Sequence, residues 1–383
     1  MQRYNFPTII YCGRGSLQAF VETLKGKSHR RALIVTDRTL EKIGLLEKLT
    51  GLLDESGLPY ALFADTQPNP TEEDVEKGTA AYLENACDSL IALGGGSPMD
   101  VAKAIKIMAV HPGPLSRYDD AIGGDRLITQ PMPPLYAIPT TAGTGSEVGR
   151  SAVIIMRETG RKTIYFHPSL MPDMAILAPE LTAGLPPNIT AATGIDAFTH
   201  SLEAYFAPGL HPMADGIALQ GMELVLDWLP VACRESENLE ARERMLLAAT
   251  MGATAFQKGL GMIHSLAHPL SSRCGTHHGL ANALLLPSGI AFLERTNLNE
   301  EQRNRLARVR SMFAERGMDK GNLSESCRDF IQDLGIGLGL SAHGIREEDL
   351  EQLSDEAFGD PCHHSTMIPV SRDDLLELYR AAL

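Results

Sequence analysis

The feature that most constrains the fold is a change in the pattern of apolar residues halfway along the 383-residue chain. In the first half, short runs that are apolar at nearly every position alternate with segments of helix length. These runs are residues 32–35, 60–63, 89–93 and 135–138. Apolar strands separated by helices are typical of a parallel sheet that is covered on both faces. A β-hairpin is also predicted, with residues 152–156 and 162–166 flanking a turn at 158–160.

The second half has helical spacing and little strand character. The change follows the Gly-Leu-Pro-Pro sequence at residues 184–187. Helices are predicted near residues 188–206, 211–228, 239–258, 261–273, 300–316 and 322–334. The predicted fold class is therefore an α/β N-terminal domain with a Rossmann-like parallel sheet, followed by an all-α C-terminal domain. We place the two domains at residues 1–183 and 184–383.

Charge and composition exclude several classes of partner. The formal net charge of −14 argues against nucleic acid and anionic membranes, because both attract a basic surface. The first residues, MQRYNFPTIIY, lack the basic and apolar blocks of a signal peptide, and we expect no membrane-spanning run. The six cysteines are scattered without a CxxC pair, which is typical of reduced thiols. We therefore expect a cytoplasmic protein.

Two glycine-rich turns follow predicted strands in the first half. Gly94-Gly95-Gly96-Ser97 leads into a helix, and glycines allow the backbone to approach a pyrophosphate at the helix N-terminus. The chain has no strict GxGxxG, so either turn alone could be only a tight connection. The second turn, residues 139–147, offers several hydroxyl groups and two further glycines. Two such turns at strand carboxyl ends favour a nucleotide site.

Asp37 bears on the choice of nucleotide. It follows the strand at residues 32–35, where its carboxylate could accept hydrogen bonds from the adenosine ribose. Its charge would repel a 2′-phosphate, so NAD is favoured over NADP. A second interpretation is equally open at this point: the side chain could only cap the turn at the end of the strand.

Histidines in the second half have the spacing of metal ligands. Asp196 and His200 are four residues apart, as are His264 and His268, so each pair lies on one face of a helix. His278 belongs to a His-His-Gly sequence. A single histidine on an apolar helix is usually a core or cap residue, but this concentration favours a site of nitrogen and oxygen ligands for Fe²⁺ or Zn²⁺. The isolated histidines are expected on the surface: His29, His111, His167, His211 and His343.

The chain resembles the iron-containing (group III) alcohol dehydrogenase family along nearly its whole length. The resemblance is carried by ordered matches at residues 35–37, 68–70, 94–100, 139–147, 162, 192–200, 260–264 and 278–283. It implies the dehydroquinate-synthase-like two-domain architecture, an NAD cofactor, and iron or sometimes zinc. It also implies a homodimer or larger homo-oligomer.

The resemblance implies roles for individual residues. The metal ligands would be Asp196, His200, His264 and His278, with His268 beside the metal as a proton relay or as an orienting hydrogen-bond partner. The implied cofactor contacts are Asp37, Asn69, Gly95, Gly96, Ser97, Asp100, Thr140, Thr141, Lys162 and Leu181. One segment departs from the family, because many members carry Asn-Pro-Arg where this chain has residues 362–369, Cys-His-His-Ser-Thr-Met-Ile-Pro.

The sequence thus predicts a metal-dependent oxidoreductase that transfers a hydride between NAD(H) and a small alcohol/aldehyde or alcohol/ketone pair. One alternative is a reductase of the same fold that acts on a carboxylated or otherwise anionic carbonyl substrate. Such reductases often lack the full metal set, which this chain retains. A second alternative is a metal-dependent lyase of the dehydroquinate-synthase type, which would show no net NADH consumption with an aldehyde.

Overall fold

The structure is a computed structural model that describes Phe6 and residues 8–383. The described residues form two compact units. One comprises Phe6–Thr141 with Gly145–Ala183, and the other comprises Ala142–Thr144 with Gly184–Leu383. The functional division at residues 1–183 and 184–383 remains a prediction.

The first unit, called here the sheet unit, contains every strand that the structure describes. The strands are β1 (Ile9–Cys12), β2 (Ala32–Val35), β3 (Tyr60–Phe63), β4 (Ser89–Gly94), β5 (Leu135–Pro139), β6 (Ser151–Ile155), β7 (Lys162–Phe166) and β8 (Met174–Leu177). Its helices are α1 (Ser16–Lys25), α2 (Arg38–Lys42), α3 (Leu45–Glu55), α4 (Glu72–Glu84) and α5 (Gly96–Met108).

Six strands form one parallel sheet in the order β1-β8-β5-β4-β2-β3, and β6 and β7 form the predicted antiparallel hairpin. Every residue of β4 and β5 is buried, because separate apolar clusters cover the two faces of the sheet. The α/β prediction is therefore confirmed. Because the strands are parallel, the segments after β2, β3, β4, β5 and β8 emerge at one edge of the sheet.

The second unit, called here the helical unit, consists mainly of nine α-helices. They are α6 (Pro187–Phe206), α7 (Pro212–Arg234), α8 (Leu239–Ala255), α9 (Met262–Cys274), α10 (His278–Arg295), α11 (Glu300–Glu315), α12 (Leu323–Asp333), α13 (Leu350–Phe358) and α14 (Arg372–Ala382). The all-α prediction is confirmed, although α10, α13 and α14 were not predicted. Most of α10 is buried, so it lacks the polar face that makes helical periodicity visible.

Two histidines that were predicted on the surface are buried, so that prediction was wrong for them. The Nε2 atom of His111 accepts hydrogen bonds from the backbone N–H groups of Thr129 and Gln130. The Nδ1 atom of His211 accepts a hydrogen bond from the backbone N–H of Ala214 at the start of α7. Both rings satisfy backbone donors at segment ends, a role that spacing between histidines cannot reveal.

Helix α7 is the one described helix that is long and apolar enough to span a membrane by length and composition alone. The helix carries three acidic residues, Asp215, Glu223 and Asp227. Its buried residues recur every three or four positions, and it packs against α6 and α8. These features are those of an amphipathic helix that packs one face against neighbouring helices.

Gly279 allows α6 and α10 to approach each other closely. A Cβ atom at Gly279 would lie 2.3 Å from the carbonyl oxygen of Ala192, which belongs to rigid helix backbone. We expect Gly279→Ala to lower the free energy of unfolding by about 1–3 kcal/mol, because the helices must separate. The matched control is Gly216→Ala on α7, where a Cβ would meet nothing within 4 Å, and it should stabilise by about 0.5–1 kcal/mol. Denaturant unfolding of both variants tests this, and equal effects would contradict it.

Candidate functional site

Three helices bring the predicted metal ligands together. Asp196 and His200 lie one turn apart on α6, His264 lies on α9, and His278 is the first residue of α10. The Oδ1 atom of Asp196 is 3.8 Å from Nε2 of His200, 3.8 Å from Nε2 of His264 and 3.5 Å from Nε2 of His278. All four candidate ligand atoms lie within 4.8 Å of one another.

This donor set fits a divalent cation. In a tetrahedral site with ligand bonds of about 2.1 Å, neighbouring ligand atoms lie roughly 3.4 Å apart, close to the 3.5 and 3.8 Å distances. Burial lowers the pKa of His200 to about 4, and it also lowers the pKa of His278. Neutral imidazoles are the form that binds metals. Three imidazole nitrogens that converge on one carboxylate oxygen at 3.5–3.8 Å are the arrangement that a cation satisfies.

A buried carboxylate that the sequence analysis did not single out holds His264. Glu203 lies on α6 and accepts hydrogen bonds from the backbone N–H groups of Gly261 (2.9 Å) and Ile263 (2.7 Å). Its Oε2 atom is 2.6 Å from Nδ1 of His264. A carboxylate that already accepts from two N–H groups acts as an acceptor, so Nδ1 of His264 carries the hydrogen. The Nε2 atom, which faces Asp196, is thereby left as the ligand atom.

Glu203 and Asp196 together also affect the protonation of His264. Burial lowers the pKa of His264, but the hydrogen bonds and charges of the two carboxylates outweigh burial and raise the pKa to about 9. The two carboxylates therefore favour a positive charge at the position of His264, either a proton on the ring or a bound cation. A proton on this imidazole would compete with a cation for the site.

Asn282 is a second buried residue that the sequence analysis did not single out. It lies one turn after His278 on α10, and its Nδ2 donates a 2.7 Å hydrogen bond to Oδ1 of Asp196. The same Nδ2 is 3.3 Å from Nε2 of both His264 and His278. The sequence gives no signal for this role, because an asparagine inside an apolar helix has many structural uses.

His268 lies beside the four candidate ligands and is not one of them. Its ring stacks on that of His278, with centroids 5.4 Å apart and an interplanar angle of 17°. Its Nδ1 atom is 2.7 Å from Oδ2 of Asp360, which lies two positions before the segment that departs from the family, residues 362–369. Burial alone would raise the pKa of Asp360, but the hydrogen bonds from His268 and from the N–H of Cys362 lower it.

We expect Glu203→Gln to weaken metal binding roughly tenfold to a hundredfold, the usual effect of losing a partner that orients a ligand. Both oxygens of Glu203 accept hydrogen bonds, one from the backbone of α9 and the other from His264. In glutamine one of these oxygens becomes an NH₂ group, which is itself a donor and cannot accept the hydrogen bond at that position. Metal affinity measured by competition with a chromophoric chelator tests this. The matched control is Glu377→Gln, an exposed residue of α14 that should leave the affinity unchanged. Wild-type affinity in Glu203→Gln would show that the carboxylate only caps α9.

The predicted cofactor residues lie mostly where parallel strands end. Gly95 and Gly96 follow β4, and α5 begins at Gly96 without a capping side chain, so its first N–H groups are available to a phosphate. Gly94 has φ +152°, and a Cβ there would lie 2.6 Å from Cγ of Pro98. This turn therefore requires glycine for its backbone conformation.

Neighbouring segments form the rest of this edge. Thr140 and Thr141 follow β5, and a Cβ at Gly95 would lie 3.3 Å from Oγ1 of Thr141. Asn69 is exposed in the segment after β3, and Oγ of Ser97 donates a 2.6 Å hydrogen bond to the adjacent Pro68 carbonyl. The β4 turn is thus tied to the segment that follows β3.

The remaining predicted residues differ in their surroundings. Leu181 is buried after β8. Asp100 on α5 accepts hydrogen bonds from Oγ of Ser146 and from the N–H of Val153. Lys162 lies at the start of β7, where burial lowers its pKa while the charge of Asp100 opposes this shift. The structure brings Asp100 and Lys162 close enough for their charges to interact, although they lie far apart in the sequence.

Asp37 is the N-cap of α2. Its Oδ1 atom accepts hydrogen bonds from the N–H groups of Thr39 (2.8 Å) and Leu40 (3.1 Å). The capping role that the sequence left open is therefore present. It does not exclude ribose binding, because both hydrogen bonds fall on the same carboxylate oxygen.

Lys103 holds the end of the second glycine-rich turn and the segment after it by hydrogen bonds. The sequence analysis did not identify this residue. It is fully buried on α5, and its Nζ atom donates to the carbonyl of Ser146 (2.8 Å), to Oγ of Ser146 (2.7 Å) and to the carbonyl of Ser151 (2.9 Å). Burial lowers its pKa to about 8. Lys103 therefore joins α5 to the segment between β5 and β6.

Comparisons with known proteins cover the whole chain. The iron-containing alcohol dehydrogenase profile matches residues 7–179, and the profile for the C-terminal part of the Fe-containing alcohol dehydrogenase family matches residues 190–383. The chain is 40% identical to the 4-hydroxybutyrate dehydrogenase of Cupriavidus necator over 352 residues, covering 90% of each protein. It is 34% identical to the NAD-dependent methanol dehydrogenase of Bacillus methanolicus over 390 residues, covering 100% of both.

A solved structure agrees with these matches. 1,3-Propanediol oxidoreductase superposes on the chain with a TM-score of 0.91 at 32% sequence identity, and the superposition covers 100% of both chains. The chain belongs to the iron-containing alcohol dehydrogenase family and is an NAD-dependent oxidoreductase of alcohols and their carbonyl products.

Proposed function

We propose that Asp196, His200, His264 and His278 hold a divalent cation, Fe²⁺ or alternatively Zn²⁺, at the reaction centre. The observation that carries this proposal is the convergence of three imidazole Nε2 atoms on one carboxylate oxygen at 3.5–3.8 Å. The predicted NAD(H) contacts all belong to the sheet unit, and the proposed ligands all belong to the helical unit. We therefore assign dinucleotide binding to residues 1–183 and metal binding to residues 184–383.

The chemistry follows from these groups. A bound divalent cation acts as a Lewis acid that makes an alcohol hydroxyl more acidic and polarises the carbonyl of the product. We assign His268 to proton transfer, because its ring stacks on His278 while its side chain is 29% exposed and can exchange a proton with water. In the oxidation direction, the alcohol carbon loses a hydride to NAD⁺ and the hydroxyl proton passes to His268.

We propose that the substrate is a short ω-hydroxy acid and its semialdehyde. This proposal is supported by the 40% identity with a 4-hydroxybutyrate dehydrogenase, against 34% for a methanol dehydrogenase. A semialdehyde that carries a carboxylate is the kind of anionic carbonyl substrate that the sequence analysis gave as its first alternative. A second candidate is an uncharged diol or hydroxyaldehyde, favoured by relatives described as lactaldehyde reductase and 1,3-propanediol oxidoreductase.

Metal removal and a substrate series test the proposed function. Dialysis against a chelator should abolish NADH formation, and added Fe²⁺ or Zn²⁺ should restore it. We expect kcat/KM for 4-hydroxybutyrate to exceed that for 1,3-propanediol and methanol by at least about tenfold, or about 1.4 kcal/mol of transition-state stabilisation. Full activity in protein that elemental analysis shows to be metal-free would refute the metal assignment. A preference for 1,3-propanediol would favour the second candidate.

We also propose that the chain acts as a cytoplasmic homodimer or larger homo-oligomer. Two strands, β1 and β3, lie at the edges of the sheet, and Ile9 of β1 is 58% exposed. An exposed apolar edge strand is a surface on which another strand can pair. Light scattering coupled to size-exclusion chromatography measures the assembly directly, and a monomer at micromolar concentration would contradict the proposal.

A further inference from the structure

A hydrogen-bonded group outside the four candidate ligands connects His268 to the segment that departs from the family. Asp360 is its centre. Its Oδ2 atom is 2.7 Å from Nδ1 of His268, and its Oδ1 atom accepts from Oγ of Ser265 and from the N–H of Cys362, both at 2.9 Å. The hydroxyl of Ser265 in turn accepts from the N–H of His363 at 2.8 Å.

These hydrogen bonds fix the protonation pattern of the group. Because Ser265 accepts from a backbone N–H, its own hydrogen points to Asp360. Asp360 therefore receives donors on Oδ1 and acts as a carboxylate, so Nδ1 of His268 carries the hydrogen shared with Oδ2. The Nε2 atom of His268 is then left with a lone pair. The carboxylate side chain is 14% exposed, and the histidine side chain is 29% exposed.

The ring of His268 is held at two places. The bond to Asp360 restrains its Nδ1 edge, and stacking on His278 restrains its plane at an interplanar angle of 17°. A histidine that must accept a proton needs both the correct tautomer and the correct orientation. We propose that Asp360 is a positioning residue that keeps His268 in the Nδ1–H tautomer, with Nε2 ready to accept the alcohol proton. This inference rests on the proposed role of His268.

The step balances without a further reactant. The hydroxyl proton of the alcohol moves to Nε2 of His268, the hydride moves to NAD⁺, and the products are the carbonyl compound and NADH. The protonated His268 then returns its proton to water. Throughout, the hydrogen on Nδ1 remains shared with Asp360.

The first experiment compares Asp360→Asn, His268→Ala and the double variant. We expect Asp360→Asn to lower kcat by about tenfold to a hundredfold with little change in KM, and to increase the solvent deuterium isotope effect on kcat. In the His268→Ala background the same substitution should have no further effect on either quantity. An equal loss in both backgrounds would overturn the action of Asp360 through His268. Unchanged kcat in His268→Ala would instead refute the proposed role of His268.

A matched variant distinguishes a positioning role of Asp360 from a purely structural one. Ser265→Ala removes one of two donors to the other oxygen of Asp360, while the N–H of Cys362 still donates to that oxygen and the bond to His268 stays in place. It should lower thermal stability but leave the solvent isotope effect unchanged. If Ser265→Ala reproduced the isotope effect of Asp360→Asn, general packing of this segment would explain both, and the positioning role would be wrong.

Two readouts do not depend on activity. In Zn²⁺-loaded protein with ¹⁵N-labelled histidine, His268 should show a protonated Nδ1 and an unprotonated Nε2, and Asp360→Asn should populate the other tautomer. Metal content should be one equivalent per chain in both proteins. The candidate donor atoms of His268, Asp360 and Cys362 also lie within 4.8 Å of one another. If the wild type bound a second equivalent of metal and Asp360→Asn did not, this cluster would be a metal site and the proposal would be wrong.

Discussion

His264→Ala is expected to reduce both metal affinity and activity by more than about a hundredfold. His264 supplies one of four converging ligand atoms, and it is the ligand that the buried Glu203 orients. Loss of an orienting partner alone typically weakens a metal site tenfold to a hundredfold, so loss of the ligand itself should exceed that. The substitution also leaves the Glu203 carboxylate with one donor fewer in a buried position.

Thermal stability provides a second measurement of the same change. At a metal concentration of 100 times Kd, binding stabilises the folded protein by about 2.7 kcal/mol. If Kd rises a hundredfold, the stabilisation at the same concentration falls to about 0.4 kcal/mol. The Tm of the wild type should therefore rise on adding Zn²⁺, and the Tm of His264→Ala should barely move. His343→Ala is the matched control, since His343 lies in the same unit outside the ligand cluster.

Elemental analysis completes this test. The wild type and His343→Ala should retain one metal per chain after desalting, whereas His264→Ala should not. Wild-type metal content in His264→Ala would mean that His264 is not a ligand. In that case Asn282, whose side-chain nitrogen lies 3.3 Å from Nε2 of His264, would be the next side chain to test.

Two of the candidate ligands could be predicted as a pair from the sequence, because helical spacing places residues four apart on one face. Asp196 and His200 follow this rule within α6. Contacts between side chains that lie on different helices or segments cannot be found in this way. Glu203 reaches His264 over 61 positions, and Asp360 reaches His268 over 92. Contacts over such separations depend on helix packing, which periodicity within one segment does not encode.

The fold could also be predicted only in part: the central strands were found, but some buried elements were not. Central strands such as β4 are apolar at nearly every position because helices cover both faces, and this pattern is visible in the sequence. The strand β8 is equally buried and was not predicted, because the period of a short apolar run does not distinguish a buried strand from part of a buried helix. Helix α10 was missed because it is buried along most of its length.

Asp37 combines two functions that a single substitution can separate. Its Oδ1 atom caps α2, and its charge is proposed to favour NAD over NADP. Serine and aspartate are about equally good N-caps, so Asp37→Ser should preserve the cap while removing the charge. Asp37→Ala removes both. The two variants therefore distinguish a structural effect, which weakens both cofactors alike, from an electrostatic effect on their ratio.

We expect Asp37→Ser to change the preference for NAD over NADP by about a hundredfold, mostly through KM for the cofactor. A charged acceptor contributes roughly 1.5–3 kcal/mol in its hydrogen bonds and a neutral one roughly half of that, so NAD should bind about tenfold more weakly. Removing a negative charge that faces a 2′-phosphate should improve NADP by about the same factor, since 1.4 kcal/mol corresponds to tenfold. Steady-state kinetics with both cofactors measure the ratio. Asp119→Ser is the matched control, because Asp119 also caps a helical turn of the sheet unit and should leave the ratio unchanged. An unaltered ratio in Asp37→Ser would mean that Asp37 acts only as the cap of α2, and that cofactor choice is determined by other residues at this edge of the sheet.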